Sequence, residues 1–139
     1  MKIRKATMKD ASQILKLLNG DKIMSVNGTK GDYNKYDVKD YIKEKNIHTF
    51  VYEENSKIIG VIVCRFFTSY FYLDSIIIDK NSQGKGIGRS LIKHVETLAK
   101  KKGIKYVELI TKTDNVGMQA LLRKLKYKRE TSFLLTQKI

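Results

Sequence analysis

Between Tyr70 and Gly103 the chain passes from a β-branched, aromatic run through a glycine-rich turn into an amphipathic helix, and this passage constrains the fold most. Tyr70 to Ile78 has strand composition. The segment Asn81-Ser82-Gln83-Gly84-Lys85-Gly86-Ile87-Gly88 follows, and a helix starts at once. Ile87, Leu91, Val95 and Leu98 share one face of it, with Ile92 and Ala99 beside them. Lys100-Lys101-Lys102-Gly103 ends it, because cations suit the negative end of a helix and glycine suits a left-handed cap.

The flanking elements follow from the same kind of reading. Ile3 lies in a short first strand. Thr7 to Asp10 has the form of a capping box, and Ile14, Leu15, Leu17 and Leu18 continue it as a helix that stops near Asn19-Gly20. Asp21 to Asp37 is polar and turn-rich and reads as an irregular loop, long enough to suggest a functional one. Val38, Tyr41 and Ile42 mark a second short helix ending near Asn46. Thr49–Glu53 and Lys57–Phe66 form a hairpin across Glu54-Asn55-Ser56. After the long helix come a strand over Lys105–Thr111, a helix over Asn115–Leu125 and a last strand over Phe133–Lys138. Proline is absent, so glycine and Asn/Asp/Ser clusters supply the punctuation.

Composition narrows the class. At 139 residues and 42% apolar the chain suits one domain with one real core, and a disordered chain is excluded. No apolar run reaches the roughly 18 residues that a membrane span needs, and no apolar signal segment follows the charged N-terminus. The single cysteine, Cys64, excludes an intramolecular disulfide and a cysteine-based zinc site. His48 and His94 lie far apart in sequence, so no metal is expected. A soluble, cytoplasmic protein is the expectation. Lys plus Arg is 28 against 14 acids, a net charge of +14, so many lysines have no acidic partner.

A strand, a glycine turn and a helix N-terminus together suit phosphate: glycines let the backbone approach, and the first-turn N–H groups point at the anion. Three arrangements compete. The Walker loop ends in Gly-Lys-Ser/Thr, where this chain reads Gly86-Ile87-Gly88-Arg89. The dinucleotide fingerprint would need glycine at the position of Arg89, and would follow the first strand rather than a later one. The form that remains is Gln83-x-x-Gly86-x-Gly88.

That form, in this order of elements, resembles the coenzyme A-binding motif of the GCN5-related N-acetyltransferase (GNAT) superfamily, and the resemblance extends over essentially the whole chain. Arg4 to Leu18 is similar to the family's opening strand and helix, Ile58 to Val63 with its Ile59-Gly60 pair to the third strand, and Leu73 to Ile78 to the fourth. The resemblance implies a central mixed, mostly antiparallel sheet of about six to seven strands. About four helices flank it, and the fourth and fifth strands splay apart. It also implies transfer of an acetyl group from acetyl-CoA to a primary amine of a small molecule or protein.

The implied site can be stated residue by residue. The coenzyme's pyrophosphate would sit on the backbone of Gln83, Gly84, Lys85, Gly86, Ile87, Gly88 and Arg89. Its pantetheine arm would pair with Ile76, Ile77 and Ile78, and Asn115 would contact it or simply cap the last helix. Asp74, in an otherwise apolar strand, stands where relatives carry the carboxylate that deprotonates the amine. Partial burial would raise its pKa into a useful range. Tyr33 and Tyr36 lie where the family builds its acceptor site. Two departures stand out. Leu122 occupies the place of the tyrosine that protonates the leaving thiolate, and Tyr127 is five residues on, about 140° around a helix, so it cannot replace it. Lys126 occupies the place of a glycine.

The remaining candidates have bland readings. Cys64 reads as a small buried hydrophobe, His94 as exposed, and His48 as a surface residue or one facing the acceptor. The charge of +14 suits polyanionic coenzyme A and argues against polycationic acceptors. Two other classes stand beside the enzyme: a coenzyme-binding sensor or subunit without turnover, and a basic nucleic-acid-binding module. Nucleic acid is disfavoured because the lysines are scattered and no aromatic RNA-binding motif is present. A homodimer is compatible with the sequence.

Overall fold

The computed structural model describes residues 2–20, 33–111, 113–130 and 137. Its centre is a five-stranded sheet in the order β1 (Lys2–Lys5), β2 (Ile47–Glu54), β3 (Lys57–Phe66), β4 (Tyr70–Ile78) and β5 (Tyr106–Leu109). The first four strands are an antiparallel meander, and β5 joins β4 in parallel. Among the described residues, four α-helices flank the sheet: α1 (Ala11–Gly20), α2 (Lys35–Lys43), α3 (Ile87–Lys101) and α4 (Val116–Lys124). This is the mixed architecture expected, with five strands among the described residues. The further strand expected over 133–138, and the loop expected over 21–32, lie outside the described residues.

The near-continuous apolar run Ile58–Cys64 is explained by burial on both faces of β3. Ile62 and Cys64 pack with Phe71, Leu73 and Ile76 under Ile87, Leu91, Ile92 and Val95 of α3. Val61, Val63 and Ile77 point the other way, under Ile14 and Leu18 of α1 and Val38 of α2. Gly60 lets α3 settle onto this strand: a Cβ there would come within 3.1 Å of Ile78 Cδ1 and Ile87 Cγ2. The β2–β3 hairpin turns through Asn55 and Ser56, both left-handed (φ 51° and 62°), which matches the twist of the flanking strands.

Boundaries move where local hydrogen bonding overrides pattern. The second helix begins at Lys35, inside the stretch read as loop, because the Asn34 side chain accepts from the N–H groups of Tyr36 and Asp37. Asp37 answers by accepting from Asn34 N–H at 2.8 Å. Before α1, Asp10 does the same for Thr7 N–H at 2.8 Å, and a 3-10 turn over Met8–Asp10 leads into the helix. The strand expected over Lys105–Thr111 is cut to Tyr106–Leu109.

The ladders position the site. Ser75 pairs with Val63 but Leu73 pairs with Cys64, so Asp74 is an extra residue, a β-bulge in β4. The β4–β5 ladder runs only from Tyr70–Tyr106 to Leu73–Leu109. Beyond it, Asp74 to Ile78 keep β3 as their strand partner on one side, and no described strand takes the other.

Candidate active site

The bulge sets the direction of Asp74. Phe71 and Leu73 pack toward α3 before it, and Ile76 does so after it, so the strand changes phase across Asp74 and Ser75. Asp74 therefore lies on the α1–α2 face with Arg65, whose Nε donates to Asp74 Oδ1 at 3.4 Å. Arg65 also lines a cleft of about 410 Å³ together with Asp37, Asp40, Tyr41, Glu44, Asn46 and Ile47. Tyr41 is held by its backbone, which accepts from Thr49 Oγ1 at 2.6 Å. Its phenol lies within the influence of both Asp74 and Tyr33, and burial, with Asp74 adding to it, holds that phenol protonated well beyond the usual range.

The two tyrosines expected at an acceptor site part company. Tyr33 does not line the cleft itself but is held against it: Asn19 at the end of α1 clamps its backbone at both ends, accepting from its N–H and donating to its carbonyl, each at 3.0 Å. Its ring meets Tyr41 at 6.1 Å. Tyr36 sits in the first turn of α2, 65% exposed under Lys35, and does not line the cleft. Tyr41 and Arg65 escaped the sequence reading. Tyr41 counted only as an apolar marker of a helix, and Arg65 ends an apolar strand whose partner is set by a bulge.

At the other end of the open β4 edge lies the glycine turn. Gly84 and Gly86 are left-handed (φ 79° and 81°) with nothing within 4 Å of where a Cβ would sit. Gly86 caps α3, and the first helical bond is Ser90 N–H to Gly86 carbonyl at 3.0 Å, so the amides of Ile87, Gly88 and Arg89 precede the helical ladder. Gln83 Nε2 donates to the carbonyl of Ile78 at 3.2 Å and ties the turn to the strand. Gly88 is close-packed instead: a Cβ there would meet Leu121 of α4 at 3.5 Å and Ile76 at 3.9 Å. Lys85 and Arg89 are exposed beside the turn. Asn115 caps α4, accepting from Met118 N–H at 3.2 Å, which is one of its two expected roles.

The departures have structural causes. Leu122 is 9% exposed in the core under α3, so an apolar residue fits where relatives place a hydroxyl. Tyr127 turns inward beside Glu96 of α3 with its hydroxyl buried and without a well-formed hydrogen bond. Burial, and then Glu96, keeps that phenol protonated. Lys126 is left-handed at φ 65°, the conformation a glycine takes there without strain.

The histidines differ from expectation. His94 is half-buried, edge-on to Phe50 at 4.7 Å, rather than exposed. His48 packs edge-on to Phe66 and Phe71 on the α3 face, away from the cleft. Burial, and then nearby lysines, hold both imidazoles neutral below their ordinary range. Cys64 is fully buried, and burial pushes its thiol far up, so it is no nucleophile.

A carboxylate on a bulged strand, a strand edge that no described strand pairs and a glycine-capped helix start follow one another along the chain. A family model described as Acetyltransferase (GNAT) family matches residues 12–127, and the chain belongs to that family. Its members use acetyl-CoA. Among solved structures the fold is similar to a transcriptional regulator from Bacillus halodurans, at 22% identity and TM-score 0.82 with 99% of each chain covered. It is also similar to a ribosomal-protein-alanine N-acetyltransferase from Brucella melitensis, at 12% identity and TM-score 0.80, covering 99% of this chain and 98% of that one. An aminoglycoside N-acetyltransferase in complex with CoA matches at 14% identity and TM-score 0.80, with 99% of each chain covered. No curated protein sequence matches the chain. No helix among the described residues is long and apolar enough to cross a membrane.

Proposed function

We propose that this chain transfers the acetyl group of acetyl-CoA to a primary amine that enters the cleft between α2 and β3. The observation that carries this reading is the placement of bulged Asp74 at the start of an open strand edge whose far end meets the Gly86-capped start of α3. The turn fits a pyrophosphate: its glycines expose backbone without side chains in the way, and the free amides of α3 supply donors at the positive end of a helix. Acetyl-CoA supplies the acyl group as a thioester.

The chain's own groups then have separable tasks. The backbone of Gln83–Arg89 holds the phosphates, and Lys85 and Arg89 add charge. The edge at Ile76, Ile77 and Ile78, which no described strand pairs, offers strand-like hydrogen bonds apart from the Ile78 carbonyl that Gln83 holds, and an N–H there polarises the thioester carbonyl. Asp74 accepts a proton from the acceptor's ammonium group, freeing its lone pair. The C–N bond forms as the C–S bond breaks. The thiol leaves with one proton, and the second proton lost by nitrogen passes to solvent. Tyr33 and Tyr41 shape the acceptor side.

Calorimetric titration with acetyl-CoA tests the binding half: micromolar affinity in the wild type, lost in Gly86→Glu, is the expected result. Thiol release with a panel of amines tests the chemistry, with Asp74→Asn expected to lower turnover at least a hundredfold while leaving coenzyme affinity unchanged. Turnover equal to wild type would remove Asp74 as the base. A second reading, coenzyme binding without turnover, is favoured by Leu122 in place of a proton donor. Tight binding with no thiol release across the panel would establish it.

A further inference from the structure

Among the described residues, two Arg–Asp pairs differ in construction. Arg4 grips Asp10 at two points, 2.8 and 2.9 Å, and the Asp10 side chain is only 6% exposed. Arg65 touches Asp74 at one point, 3.4 Å, with side chains 43% and 22% exposed. The first has the geometry of a fixed structural clamp. The second is a long, single, solvated contact of the kind that contributes little to stability and exchanges readily.

Arg65 also has somewhere to go. It lines the same cleft as Asp37 and Asp40 of α2 and Glu44 at its C-cap. Asp37 is engaged by its helix cap, which leaves Asp40 and Glu44 as receivers for a guanidinium swung off Asp74. The phenol of Tyr41 stays with Asp74, neutral and anchored through its backbone to Thr49. Tyr72 faces the same carboxylate and is likewise kept protonated.

We propose that Arg65 is a displaceable counter-ion: it holds the place on Asp74 that the acceptor's ammonium group takes, and it thereby sets the affinity for the acceptor. This rests on the reading of Asp74 as proton acceptor. The acceptor arrives as a cation and exchanges with Arg65 on Asp74. Arg65 moves to the α2 carboxylates, so the charge balance of the cleft is kept. The net charge of the whole chain, which argued against cationic acceptors, does not describe this cleft, whose lining carries three carboxylates against one guanidinium.

The test uses 1,4-diaminobutane as probe amine with saturating acetyl-CoA, on wild type, Arg65→Gln, Arg65→Lys and Asp74→Asn. Removing the competing cation in Arg65→Gln should lower KM for the amine about three- to tenfold, with kcat changed less than about twofold. Arg65→Lys keeps a cation and should stay near wild type. A fall in kcat at unchanged KM would overturn the proposal and make Arg65 a positioning residue. Unchanged parameters would overturn it as well. Full turnover in Asp74→Asn would instead strike the base reading, whatever Arg65→Gln does. If the diamine is not turned over, the NMR signal of Arg65 Nε–H gives the answer. It should shift on adding the diamine to wild type and not to Asp74→Asn, and an unmoved signal in wild type counts against displacement.

Discussion

Lys126 is, with Asn55 and Ser56, one of three non-glycine residues with left-handed backbone among the described residues. A non-glycine residue at φ 65° costs about 1 kcal/mol, so Lys126→Gly should raise stability by about that amount in urea unfolding. An unchanged midpoint would mean that the unfolded chain's gain in freedom cancels the relief. Asp10 carries the clearest pH dependence. Hydrogen bonds from Arg4, opposed by burial, hold its carboxyl below the ordinary value of 3.8. A depressed folded pKa contributes stability that is complete above the unfolded value and disappears as pH falls through the folded one. The urea midpoint should therefore hold from neutral pH to about pH 5 and drop below about pH 4, and Asp10→Asn should flatten that drop. Both sites were legible in part. The glycine position was recognisable from the family pattern, whereas Arg4 as the partner of Asp10 needed the fold to bring a strand onto a turn.

The two short caps decide where α1 and α2 sit, and α2 carries the wall of the cleft. Asn34 satisfies two amides at the start of α2, so Asn34→Ala should cost about 1 kcal/mol of stability. Asn19 closes a different gap: it supplies both hydrogen bonds that the Tyr33 backbone makes with α1. Asn19→Ala should leave the amine KM raised more than the coenzyme affinity is changed, because Tyr33 packs on Tyr41 and not on the glycine turn. Equal loss of both would point to a general loss of structure. α3 and its glycine turn were readable because their signals are local: a helical apolar stripe and glycines at a helix start. The splay of the fourth and fifth strands was implied only by the family resemblance, and where their pairing ends was not legible, because it joins positions 36 residues apart (Leu73 and Leu109).

Charge acts on the molecule as a whole. With 28 basic against 14 acidic residues, the surface attracts polyanions, and acetyl-CoA affinity should weaken several-fold between low and moderate salt. Calorimetry at two ionic strengths checks it, and salt-independent affinity would assign the phosphates to backbone donors alone. A gel shift with a single RNA duplex serves the nucleic-acid alternative, since binding by scattered lysines would fall steeply with salt. Gly86→Glu separates the two kinds of binding, because it fills the glycine turn and leaves the lysines in place.

What the sequence determined by itself was everything carried by neighbours in the chain: the order of strands and helices, the glycine turn, the apolar stripes, and through these the family. What only the tertiary structure decided was which side chains meet. Asp74 gained its direction from a bulge, its counter-ion from the neighbouring strand and its phenol from a helix more than thirty residues away (Tyr41). The physical reason is that periodicity is a property of one element, while a site is a property of the register and packing between several.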